Sequence, residues 1–124
     1  MATLADRVYD NGLTVLDTEA NRIDICSSEP TTYSAATSSA SLGNTTSITI
    51  SAPTDGDTSG RKVTVSAISG ASVTGTGTAT HFAITDTGNT RLLATGSLSG
   101  GGQSVTSGNT FSLTALDIEI PDPA

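Results

Sequence analysis

Thr80-His81-Phe82-Ala83-Ile84-Thr85-Asp86, a Gly88-Asn89 step, and then Thr90-Arg91-Leu92-Leu93-Ala94-Thr95 are the residues on which the reading of this chain turns. Phe82 and Ile84 recur with a period of two, which places both on one face of an extended strand. Gly-Asn between two such runs is a turn signal, because both residues tolerate a left-handed backbone. The pattern is therefore a hairpin, and it sends His81 to the face opposite Phe82.

The same rhythm continues on both sides. Arg22-Ile23-Asp24-Ile25-Cys26 alternates through Ile23 and Ile25 and ends before Pro30. Ser47 to Ser51 alternates through Ile48 and Ile50, and Lys62 to Ile68 through Val63, Val65 and Ala67. Ser69-Gly70 reads as a turn into a weaker strand, Ala71 to Thr76, around Val73. Thr110 to Thr114 alternates through Phe111 and Leu113, and Leu116 to Ile120 through Leu116, Ile118 and Ile120; Pro121 and Pro123 then stop further pairing. Residues 31–44 hold few large apolar groups and read as a long loop or an arm that orders on a partner. Ser97 to Gln103, with Gly100 to Gly102, reads as a flexible hairpin tip, and Pro53 to Gly60 as a polar turn.

One segment has helical spacing. Thr3 with Asp6 three residues later has the form of a capping box, and Leu4, Val8, Val15 and Leu16 fall roughly on one face. Asn11-Gly12 weakens the middle and threatens to break the helix there. The expectation is an all-β fold: an antiparallel β-sandwich or barrel-like domain of about seven to nine short strands with a short N-terminal helix. Residues 1–20 form the helical segment and residues 21–124 a single β-sandwich domain.

Composition bounds the rest. The chain has 124 residues, of which 53 are Thr, Ser or Gly and 25 are Leu, Ile, Val or Phe. A core this sparse is marginal for a monomer and points to help from neighbours. The net charge of −7 with five basic residues disfavours nucleic acid, since there are too few cations to neutralise a row of phosphates. No apolar run is long enough for a membrane helix, and the first residues lack the form of a signal peptide. Charge gathers at the ends: residues 1–30 carry −4, residues 117–124 carry −3, and the body is neutral. Acidic ends are either ordinary solvated termini or contacts for a basic surface.

The residues offer little for catalysis or metal binding. His81 is expected on a strand's outer face, and Cys26 as a packed thiol on the face opposite Ile23 and Ile25; nothing local pairs them as nucleophile and base. Asp55-Gly56-Asp57 resembles a calcium-loop fragment but lacks the alternate ligands and the distal Glu. Ser99 to Gly102 has no Lys-Ser/Thr after it and opens no helix, so it is not a phosphate loop. Four aromatic residues make a poor stacking platform for sugars or single strands. No catalytic residue, metal ligand or cofactor is expected.

Several stretches resemble small virion proteins of tailed bacteriophages. They are Arg22 to Pro30 after a short helix, Thr80 to Asp86 followed by Arg91-Leu92-Leu93-Ala94-Thr95-Gly96, and Val105-Thr106-Ser107-Gly108-Asn109-Thr110-Phe111 followed by Ile118-Glu119-Ile120-Pro121-Asp122-Pro123. The resemblance implies a capsid decoration, or cement, protein. It would be made in the host cytoplasm and carried on the capsid surface, bridging major capsid protein subunits together with copies of itself, as trimers or other symmetric groups. It implies no direct contact with nucleic acid or membrane. The candidate interface residues are Leu4, Val8, Tyr9 and Leu16, which either pack on the chain's own sandwich or reach a neighbour, and Asp117, Glu119 and Asp122 of the acidic tail. A tail, neck or fibre-associated role and a glycan- or receptor-binding module are the alternatives.

Overall fold

The structure, a computed structural model, describes residues 4–98 and 102–122. Thr3 of the expected capping box, Gly100 and Gly101 of the glycine run, and Pro123 lie outside the described residues. The fold is all-β with one N-terminal helix. In chain order the elements are α1 (Asp6–Glu19), β1 (Arg22–Cys26), a π-helical turn (Ala35–Ser39), β2 (Ser41–Thr45), β3 (Thr54–Asp55), β4 (Arg61–Val65), β5 (Ile68–Val73), β6 (Gly77–Ala79), β7 (His81–Asp86), β8 (Arg91–Ser97), β9 (Gln103–Val105), β10 (Thr110–Leu113) and β11 (Leu116–Ile120). Eleven strands among the described residues exceed the seven to nine expected. The excess lies in β3, β6 and β9, which at two or three residues are too short to show a period.

The chain divides into two compact units, and it passes between them four times. The first comprises residues 1–19, 49–67 and 114–124. Its sheet has the order β11-β4-β3, antiparallel throughout, and α1 packs on β4. Tyr9, Leu13, Leu16, Ile50, Val63 and Val65 are buried. Helix α1 differs from the sequence expectation in two ways. It runs unbroken through Asn11-Gly12, and of the expected face only Leu16 is buried. Tyr9, Leu13 and Leu16 stand at i, i+4 and i+7 and turn inward, while Leu4, Val8 and Val15 are exposed. The two stripes compete for the same helix. The wider, aromatic one wins because it removes more apolar area from water.

The second unit comprises residues 20–48 and 68–113. A six-stranded antiparallel sheet has the order β10-β5-β2-β1-β7-β8, accompanied by the short pair β6-β9. Ile23, Ile25, Phe82 and Ile84 meet across β1 and β7, with Ile23 opposite Ile84 and Ile25 opposite Phe82. The opposite face of β1 is buried as well: Cys26 packs with Ala36, Ala40 and Ala83. Asp24 lies there too, held by Arg22 at 2.7 and 2.8 Å and by the Ser41 hydroxyl at 2.6 Å. A carboxylate this deep is stable only when its oxygens are hydrogen-bonded, and these three bonds give both oxygens a partner.

Three segments differ from the sequence expectation. Residues 31–44 are not a loop: they make the π-helical turn and most of β2, a central strand between β1 and β5. Their packing is done by Ala36, Ala40 and Leu42, and small residues leave no visible period. Residues 47–51 are not a strand; Ile50 makes an isolated bridge to Val65. Ser69-Gly70 is not a turn but part of β5. There Gly70 takes φ of 68°, and Ser69 and Gly70 together face Ser112 of β10, as a bulge requires.

Candidate interaction surface

Charge is divided unequally between the units. The first holds nine acidic and three basic residues, for −6; the second holds three and two, for −1. In the first unit the sheet presents two adjacent cations on β4. Arg61 donates to Asp10 at 2.9 Å and to Asp55 at 2.6 Å, with Asp6 at 3.9 Å. The Asp10 bond contributes most to holding the guanidinium above its ordinary pKa. Lys62 donates to Asp57 and, at 3.0 Å, to Asp117, whose other oxygen takes the Thr64 hydroxyl at 2.8 Å. The Thr64 bond leads the causes that hold the Asp117 carboxyl below its ordinary value, and Lys62 follows it. Strand pairing explains the geometry. Thr54 and Asp55 register with Lys62 and Arg61 on one side of β4, and Asp117 registers with Thr64 on the other. The Asp55-Gly56-Asp57 turn thus spends its carboxylates on Arg61 and Lys62.

The expected interface residues separate under this geometry. Tyr9 and Leu16 lie inside the first unit, each under a tenth exposed. The Tyr9 hydroxyl donates to Asp122 at 2.8 Å and so joins helix to tail. Burial first, and the Asp122 bond second, push the Tyr9 pKa up to about 12. Val8, at 56% exposure, stands on the outer side of α1 with Val15, and Leu4, two residues before the helix begins, is 45% exposed. Asp117 and Asp122 are exposed yet tied to Lys62 and Tyr9, and Glu119 is half-buried. Sequence reading missed Arg61 and Lys62 as organisers, because their partners lie 5 to 55 residues away along the chain.

In the second unit Cys26 and His81 stand directly opposite each other across β1 and β7. Fifty-five residues separate them along the chain, so no local pattern announces the pairing. The thiol nevertheless is fully buried, lies 3.7 Å from the Ala36 carbonyl oxygen, and is pushed up to about 11 by burial, so it stays protonated near neutrality. His81 Nδ1 sits 2.8 Å from the Thr80 hydroxyl and Nε2 3.8 Å from Glu29. Among the described residues no group of three His, Cys, Asp or Glu is placed to hold a metal ion. A small apolar dent lined by Ile25, Ala79, Phe111 and Leu113 carries no titratable side chain. Among the described residues no helix is long and apolar enough to cross a membrane.

The arrangement can bind by surface: an acidic unit whose helix turns an apolar stripe outward. No protein-family model, curated protein or solved structure matches the chain.

Proposed function

We propose that this chain is a structural protein of a phage particle that binds the outer surface of the capsid and bridges major capsid subunits. The observation that carries the reading is the concentration of −6 in one small unit beside the exposed Leu4, Val8 and Val15. Acidic charge steers the unit to a basic face, and three apolar side chains give contacts that water would otherwise cover. The resemblance of residues 22–30 and 78–123 to small virion proteins agrees with this. Repetition on a symmetric shell then multiplies weak single contacts into firm attachment.

Co-sedimentation of the purified chain with particles stripped of it is the test. Binding is expected to be saturable, to weaken as salt is raised from 50 to about 500 mM because exposed charges are screened, and to fall for Val8→Asp. Binding that ignores both salt and Val8→Asp contradicts the proposed face. Attachment confined to tails or necks favours the other structural role.

A further inference from the structure

We propose that Asn11-Gly12 is a site of spontaneous backbone modification, and that the folding of α1 gates it. Asparagine before glycine is prone to this chemistry, because glycine puts no Cβ in the way of its own backbone nitrogen. The Gly12 nitrogen gives its proton to solvent and attacks Cγ of Asn11. The new C–N bond closes a five-membered imide, and the side-chain nitrogen leaves as ammonia. Water then opens the ring. Cleavage at the side-chain carbonyl gives aspartate, and cleavage at the backbone carbonyl gives isoaspartate, whose main chain runs through Cβ and Cγ. Amide and water become carboxylate and ammonium, with no oxidant, reductant or cofactor.

Sequence and surroundings single out this pair. Of the five asparagines, Asn11 alone precedes glycine; Asn21 precedes Arg22, and Asn44, Asn89 and Asn109 each precede a threonine, whose branched side chain crowds the attacking nitrogen. Asn21 and Asn89 are also held in place. The Asn21 side-chain oxygen accepts from Thr87 N–H at 2.9 Å, and the Asn89 amide donates to Asp86 at 2.8 Å. Asn11 and Gly12 are both exposed, and a Cβ at Gly12 would meet nothing within 4 Å. The related pair Asp55-Gly56 is closed to the same reaction. Arg61 holds the Asp55 carboxylate at 2.6 Å, and Gly56 N–H donates to the Gly60 carbonyl at 2.9 Å.

The helix restrains Asn11. Helical backbone angles keep the Gly12 nitrogen away from Asn11 Cγ, and Gly12 N–H is committed to the carbonyl one turn back. Reaction therefore passes through an opened α1. Three features keep opening within reach. Gly12 is a poor helix former at mid-helix. The last turn sets Asp17 and Glu19 at the negative end of the helix dipole and has no basic residue. The helix is anchored by three buried side chains, Tyr9, Leu13 and Leu16. Conversion adds a negative charge to a unit already at −6. The extra backbone atom of isoaspartate also interrupts the hydrogen-bond ladder between Tyr9 and Leu13, so an opened helix that has reacted cannot rebuild its ladder.

The inference does not depend on capsid binding and is tested on the full purified chain. After incubation near neutral pH, peptide mapping by mass spectrometry is expected to find OH in place of NH2 at Asn11, with isoaspartate among the products. The other four asparagines and Asp55 are expected to stay unchanged. Unfolding in urea is expected to speed conversion of Asn11 at least about tenfold, as a structural gate requires. Tyr9→Phe, which removes the tether to Asp122, is expected to speed it about fivefold in buffer and to leave the urea rate unchanged. Gly12→Ala is expected to slow it in both. If Tyr9→Phe misfolds, urea below the unfolding transition replaces it, and the parent's rate is expected to climb with urea. Conversion first at another asparagine, no conversion of the folded chain over several weeks, or a rate in buffer equal to that in urea overturns the proposal, as does indifference to a folded Tyr9→Phe.

Discussion

Thr85 sits fully buried in β7 with a side-chain oxygen that has no hydrogen-bond partner. Its backbone carbonyl accepts from Asn21, so the strand is satisfied and the hydroxyl is the unmet group. Burying a hydroxyl without a partner costs on the order of 1–3 kcal/mol. Thr85→Val, which keeps the shape, is expected to stabilise the chain by about 1 kcal/mol; thermal unfolding measures it, and a lowered Tm contradicts this account of Thr85. Tyr9 makes the opposite case. Its folded pKa of about 12 lies above the ordinary 10.0, so the neutral phenol is the form the fold favours. That contribution is complete below pH 10 and is lost as pH rises toward 12. Tyr9→Phe is expected to lower stability at pH 7 by removing the Asp122 bond and to flatten the loss between pH 10 and 12; denaturant unfolding across that range checks it.

Elements were legible where large apolar residues alternate. β1 and β7 were read with their bounds correct or within one residue, because Ile23, Ile25, Phe82 and Ile84 mark one face. β2 was invisible because its packing uses Leu42 among Ser, Gly and Asn, and the turn before it uses alanines. The buried stripe of α1 escapes the sequence because Val8 and Val15 repeat at the same helical spacing as Tyr9 and Leu16. The turn after β7 is legible in another way: Asp86 accepts from the Asn89 amide at 2.8 Å and from Gly88 N–H at 3.0 Å. Led by the Asn89 bond, these contacts hold its carboxyl below the ordinary 3.8. The stabilisation is present above that value and is lost as pH falls through the lower folded value. Asp86→Ala is expected to lower Tm at pH 7, with the gap to the parent closing as pH drops from 5 to 2. At the β4–β11 ladder, Gly60 has φ of 70°, and a Cβ there would overlap the Ile120 carbonyl oxygen. Gly60→Ala is expected to cost at least about 1 kcal/mol, whereas Gly12→Ala, with open space around it, is expected to raise Tm.

At the scale of the whole molecule, the charge at the ends was plain in the sequence, but its destination was not. Residues 1–19 and 114–124 fall in one unit with residues 49–67, so charge that looked terminal belongs to a single compact body. The ion pairs around Arg61 and Lys62 draw it together, and no local pattern could announce contacts spanning 51 and 55 residues. Of the expected interface, Leu4 and Val8 lie on the exposed face of that body, while Tyr9 and Leu16 serve its core. The account rests on this acidic body meeting a basic shell many times over. Imaging purified particles at a resolution that places the chain, and counting its copies, tests this most directly. The account predicts on the order of hundreds of copies on the outer shell, each with α1 and β11 toward the capsid. A handful of copies at a tail or neck, or copies whose α1 points to solvent, would contradict it.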